Sequence, residues 1–154
     1  MEQILPWVLI VAPWFLLLPL DSIRVRRFMS VAFLIVVITT ITHQLAEIYN
    51  WWTVTSDFPF LTNVSTFAYG LLPVVTILMF YFTYPNIWLF FGVNIVFDAF
   101  QAFVISPFVF ERFGLYRMEE MSNFGLFILI IILVPVIYFY QRWYDKKLNS
   151  DHFS

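Results

Sequence analysis

The reading of this chain turns on "FMSVAFLIVVITTITHQLAEIYNWW", residues 28–52. From Phe28 to Ile41 it carries no charged side chain, and its apolar residues fall on every face of a helix. A helix apolar all round belongs in the centre of a large protein or in a membrane. A chain of 154 residues leaves too much of its surface exposed to hide such a helix from water. About 20 apolar residues at ~1.5 Å rise cross a bilayer core about 30 Å thick. The spacing therefore predicts a membrane span over about 28–50, ended by the interfacial pair Trp51 and Trp52.

Four further windows meet the same length, at about 4–20, 61–83, 87–110 and 124–141. The connections between them, "DSIRVRR", "WWTVTSDFPF", "YPN" and "ERFGLYRMEEMSN", are short and polar or turn-forming. Short connections make successive helices antiparallel neighbours. The expectation is one all-α domain over 1–154, an integral membrane bundle of five transmembrane helices. Composition agrees: 62% of residues are hydrophobic and 12% charged, against roughly a quarter charged in soluble domains. Mean hydropathy is +0.84.

The opening "MEQILPWVLIVAPWFLLLPLDSIRVRR" has Glu2 as its only early charge and no small-residue cleavage site before Asp21. It is expected to be a retained span and not a signal peptide. Pro6, Pro13 and Pro19 lie in that span and Pro135 in the last, so Pro13 is expected to bend the first helix. The chain has no cysteine, which excludes disulfides, thiolate metal sites and cysteine nucleophiles. A net charge of −2 gives no sign of a nucleic-acid partner. Neither a phosphate-binding loop nor a zinc-protease signature occurs, and no cofactor is expected.

Orientation follows from the basic residues. Arg24, Arg26 and Arg27 occupy the first connection, and Arg142, Lys146 and Lys147 follow the last span. Only Arg112 and Arg117 remain for the other side. The positive-inside rule then predicts the N-terminus outside and the C-terminus in the cytoplasm. Arg24-Val25-Arg26-Arg27 is expected to set topology and to touch anionic lipid headgroups. Membrane lipids are the partners this composition implies. The Asn63-Val64-Ser65 sequon abuts a predicted span and is read as incidental.

Of the acidic residues, only Glu47 and Asp98 fall within predicted spans. An acid at the centre of a membrane helix costs about 3 kcal/mol, so it faces the bundle interior, a partner or a water-filled cavity. Asn94, Asp98 and Gln101 are spaced i, i+4 and i+7 on one stripe of the fourth span. Thr40, His43 and Glu47 form a second stripe on the second span, with Gln44 beside it. By helical rise, His43 and Gln101 lie at similar depth, roughly 10–14 Å below the outer interface. A metal site is disfavoured, because the other histidine, His152, lies in the tail.

The expected function is a polar pocket of Thr40, His43, Gln44, Glu47, Asn94, Asp98 and Gln101 that binds a proton, a cation or a small polar ligand, for transport or sensing. A non-enzymatic role is favoured. The rival is an accessory subunit or homo-oligomer in which the same stripes serve helix contacts. A third reading, a membrane-embedded lipid-modifying enzyme, needs the acids to converge beside a lipid-sized groove.

The stretches "THQLAEIYNWWTVTSDFPFLTNVSTFAYGLLPVVTILMFYFTYPN" (42–86), "FVFERFGLYRMEEMSNF" (108–124) and "YFYQRWYDKK" (138–147) carry a resemblance. Together they resemble a family of small uncharacterised polytopic membrane proteins of endospore-forming Gram-positive bacteria. The shared features are an acid near the end of the second span, a Tyr-Pro turn after the third and a Glu-Arg-Phe element after the fourth. The resemblance implies a multi-pass fold in a bacterial plasma membrane and no established activity. "YRMEEM", with Glu119 and Glu120, is also similar to the paired-glutamate element of membrane-embedded lycopene cyclases, without its proline. No catalytic residue is carried over from that second likeness.

Overall fold

The structure is a computed structural model in which residues 4–55, 66–114 and 116–151 are described. Helix α1 (Ile4–Val11) gives way at Pro13 to a 3-10 segment over Ala12–Leu17. Proline lacks the N–H an α-helix needs and its ring crowds the preceding turn, so the expected break falls where Pro13 stands. Asp21 caps the next helix by accepting from the Ile23 amide at 2.8 Å. That helix, α2 (Ser22–Ile48), is continuous through the stretch that opened the argument. It ends at Asn50, whose φ of +54° turns the chain back, and the Trp51 amide then donates to the Ala46 carbonyl at 2.9 Å.

Strand β1 (Trp52–Val54) follows, and then, beyond residues 56–65, α3 (Thr66–Tyr69) and α4 (Leu71–Thr83). Asn86 caps α5 (Ile87–Phe100) by accepting from the amides of Trp88 and Leu89. The same helix widens into a π-helix over Gln101–Phe110, around Pro107. Strand β2 (Tyr116–Met118) leads to α6 (Asn123–Asp151), which carries Pro135 inside it.

Among the described residues, three helices are long and apolar enough to cross a membrane: Ser22–Ile48, Ile87–Val109 and Asn123–Leu148. They match the expected spans 28–50, 87–110 and 124–141. The expectation of five full-length spans is corrected for the other two, which form the shorter apolar helices Trp7–Leu17 and Leu71–Thr83. The first is shortened by Pro13. The second is interrupted at Gly70, whose backbone lies against the Leu9 carbonyl so closely that any Cβ would collide with it. The start of that expected span at 61–65, Asn63-Val64-Ser65, Asp57, Glu2 and His152 lie outside the described residues.

A second correction concerns the connections after the second and fourth spans. Both were expected to be loops, yet β1 and β2 pair antiparallel, with Trp52 opposite Met118, Thr53 opposite Arg117 and Val54 opposite Tyr116. The Glu119 and Met121 amides donate to the Trp51 carbonyl at 3.0 and 3.3 Å. This ribbon closes one end of the bundle over Ala46, Ala102 and Leu126. The described residues are otherwise helical.

The helices α2, α4, α5 and α6 pack around a common core, with α1 against α3 and the 3-10 segment against α4. Phe28, Val31, Ala32 and Ile35 recur at helical spacing on the inner face of α2. They meet Val74, Ile77 and Phe80 of α4, Phe90 of α5 and Val134, Ile137 and Tyr138 of α6. Aromatic rings fill the centre, with Phe80–Phe90 and Phe90–Tyr138 centroids 4.7 and 4.9 Å apart. The outer faces are equally apolar: Phe33, Ile41, Val96, Ile132 and Phe139 are all exposed. Water would not tolerate so continuous an apolar exterior on a monomer, whereas lipid would.

The end opposite the ribbon is held by charge. Arg27 of α2 donates from Nε and Nη2 to both carboxylate oxygens of Asp145 of α6, at 3.0 and 2.9 Å. The Tyr84 hydroxyl donates to the same carboxylate at 2.7 Å, and Gln141 Nε2 donates to it at 3.0 Å. Burial, followed by the hydrogen bond to the Asp145 carboxylate, raises the Tyr84 phenol above its ordinary value, so it donates across the neutral range. Arg24 lies 4.1 Å over the Tyr81 ring and donates to the Tyr81 carbonyl.

Candidate functional site

Between the aromatic core and the ribbon lies a cavity of about 130 Å³. Its walls come from α2, α4, α5 and α6, and Trp52 of β1 and Phe67 of α3 contribute near the ribbon end. Most of the wall is apolar. Into it come His43 of α2 and Asn94, Asp98 and Gln101 of α5, all of them buried. The stripe of the fourth helix thus faces the same space as His43 of α2.

Asn94 and His43 are positioned by their own helices. The Asn94 amide donates to the Phe90 carbonyl at 2.7 Å, one turn back. His43 Nδ1 lies 2.9 Å from the Thr39 carbonyl. A carbonyl can only accept, so Nδ1 carries the proton and Nε2 is the acceptor of the neutral ring. The His43 ring meets Trp52 edge-to-face, with centroids 5.4 Å apart. Asp98 differs from its neighbours: its Oδ2 is buried with no hydrogen-bond partner among the described residues. A buried polar atom without a partner costs on the order of 1–3 kcal/mol, more for an ion, and calls for an explanation.

Not all expected residues reach the cavity. Thr40 is half-buried and turned aside, donating to the Val36 carbonyl at 2.8 Å and lying 3.2 Å from the Tyr69 hydroxyl. Gln44 and Glu47 are exposed. The inner face of α2 runs through Ile35, Thr39, Thr42, His43 and Ala46. Thr40, Gln44 and Glu47 lie roughly 110–170° round the helix from the mean direction of Ile35, Thr39, Thr42 and Ala46, at about 100° per residue. His43 sits between the two directions.

The structure adds Thr39, Thr42 and Thr76, and Trp52, to the lining. The hydroxyls of Thr42 and Thr76 return to the carbonyls of Ile38 and Leu72, each at 2.9 Å. Such back-bonding uses their one donor and leaves the oxygens able only to accept. Thr39 and Thr42 stand at i−4 and i−1 from His43, the signal that would have pointed to this face. Among the described residues no three His, Asp or Glu side chains converge as a metal would need.

No family model, no curated protein and no solved structure matches this chain.

Proposed function

We propose that this is a multi-pass protein of the bacterial plasma membrane whose cavity binds a small polar or cationic species, in transport or sensing. The observation that carries the reading is Asp98, buried in the wall of a cavity between apolar helices with one carboxylate oxygen unpartnered. A proton, a cation or a hydrogen-bond donor on a ligand satisfies such an oxygen. Acids kept at this depth mark ligand or ion sites by default, because insertion selects against them. His43 supplies a second group able to take or give a proton, and the Asn94 and Gln101 amides orient what binds.

We place the ribbon end outside and the Arg27–Asp145 end in the cytoplasm, with five crossings in which α1 and α4 are the short ones. The gathering of Arg24 and Arg27 at the same end as Asp145 supports this orientation. The test is reconstitution in liposomes, with proton and ion flux and ligand binding measured for the parent, Asp98→Asn and His43→Ala. Loss of binding or flux in variants that remain folded is expected. Unchanged binding and flux in both overturns the reading.

A further inference from the structure

The polar atoms left for a ligand in this cavity are mostly acceptors. We propose that its ligand is a small primary ammonium ion on a compact apolar body, an inference that rests on the cavity being a binding site. Asp98 offers a carboxylate with one oxygen unpartnered. His43 donates backwards from Nδ1 and so presents Nε2, and Asn94 gives one of its two Nδ2 hydrogens to the Phe90 carbonyl and keeps its oxygen as an acceptor. No arginine or lysine lines the cavity among the described residues, which disfavours an anion. A bare metal cation needs six or more oxygens or a converging acid–imidazole set. The described residues provide no such set, and the Thr42 and Thr76 hydroxyls, whose hydrogens go to their own helices, add only acceptors.

An ammonium group answers the same inventory with three donors and one positive charge. The rest of the wall fits the rest of the ligand. Trp52, Phe80 and Phe97 line it together with aliphatic side chains, and aromatic faces attract an organic cation while packing on its hydrocarbon. The volume sets the size. Cavities of about 150 Å³ take a benzene-sized molecule, and this one, at about 130 Å³, has room for about six heavy atoms. Cyclopentylammonium has that size. Cyclopentanol has the same shape without the charge, and tetramethylammonium has the charge without a donor.

The full-length protein in nanodiscs, titrated calorimetrically with each compound, tests the proposal. Cyclopentylammonium is expected to bind at least ten-fold tighter than cyclopentanol or tetramethylammonium. Asp98→Asn is expected to weaken it at least ten-fold, as is Ile130→Phe, which fills the cavity from α6 and leaves every polar group in place. Equal binding of amine and alcohol overturns the ammonium assignment and leaves the binding cavity standing. Binding of none of the three, with proton flux still sensitive to Asp98→Asn, overturns the amine and keeps a proton site. Absence of both overturns the amine and the cavity reading together.

Discussion

Arg27 and Asp145 are 118 residues apart in sequence and joined by two parallel hydrogen bonds of 3.0 and 2.9 Å. The Arg27 side chain is 47% exposed and that of Asp145 is 11% exposed, so the two ends of the pair are unequally solvated. Removing Asp145 strands the donors of Arg27, Tyr84 and Gln141 at once. Removing Arg27 leaves Asp145 with two donors, and water reaches the gap. Asp145→Ala should therefore destabilise by about 1–3 kcal/mol, after discounting for exposure, and Arg27→Ala by less. Thermal unfolding in mild detergent ranks the two. Equal losses would show that the shared acceptor is not what holds this end.

The Tyr84 bond predicts a pH dependence confined to the alkaline side. The folded phenol titrates above its ordinary value of 10.0, because burial and then the Asp145 bond favour the neutral form. When a folded value exceeds the unfolded one, the stability is fully present below the unfolded value. It is lost as pH rises through that window. Melting temperature should thus carry no Tyr84 contribution to its slope between pH 7 and about 9, and should fall above about 10. Tyr84→Phe should flatten that alkaline fall. An unchanged profile in the variant would refute the assignment.

Glycine is required at one place, where the turn between α3 and α4 meets α1, and is optional on α5. A Cβ at Gly70 would meet the Leu9 backbone, whereas one at Gly92 meets nothing within 4 Å. Gly70→Ala should cost about 1–3 kcal/mol, because a backbone must move to admit it. Gly92→Ala should be neutral or gain up to about 1 kcal/mol in helix propensity. Melting curves of the two single variants decide it, and a Gly70→Ala protein as stable as its parent would sink the backbone-contact argument.

Much of this fold is legible in residue order because a long helix apolar on every face has few alternatives. Long uncharged windows located three of the helices, with ends displaced by up to about seven residues, and the Asn94–Asp98–Gln101 spacing fell on one wall of the cavity. The α2 wall was harder. A helix apolar on all sides has no polar face to mark its outside, so Thr40, Gln44 and Glu47 looked as inward as Thr39 and Thr42. The β1–β2 ribbon was hidden for a different reason: its strands have three residues each and are far apart in sequence. Nothing in the local spacing marks Asp145, because its partners Arg27 and Tyr84 are 118 and 61 residues away in sequence.

The chain contains no cysteine, so orientation can be tested with single introduced thiols and no background. Ser122 precedes α6 at the ribbon end and Ser22 opens α2 at the charged end. With the ribbon outside, a membrane-impermeant maleimide added to intact cells should label Ser122→Cys, and should label Ser22→Cys only after permeabilisation. The reverse pattern would invert the topology.

Asp98→Asn should separate stability from function. The carboxylate contributes no bond through Oδ2 in the folded state, and carrying an acid into lipid costs about 3 kcal/mol. An amide of the same shape removes the full charge and brings N–H donors into a cavity whose lining offers acceptor atoms. The variant should therefore melt higher than the parent, by a gain of about 1 kcal/mol, while losing whatever binding the carboxylate serves. Residues kept at a cost to the fold are the ones activity depends on. Melting temperature and ligand titration measured on the same nanodisc preparation give both numbers. A variant that is less stable than its parent would mean that Asp98 is held by the fold for packing, and would remove the ground for reading it as a binding residue.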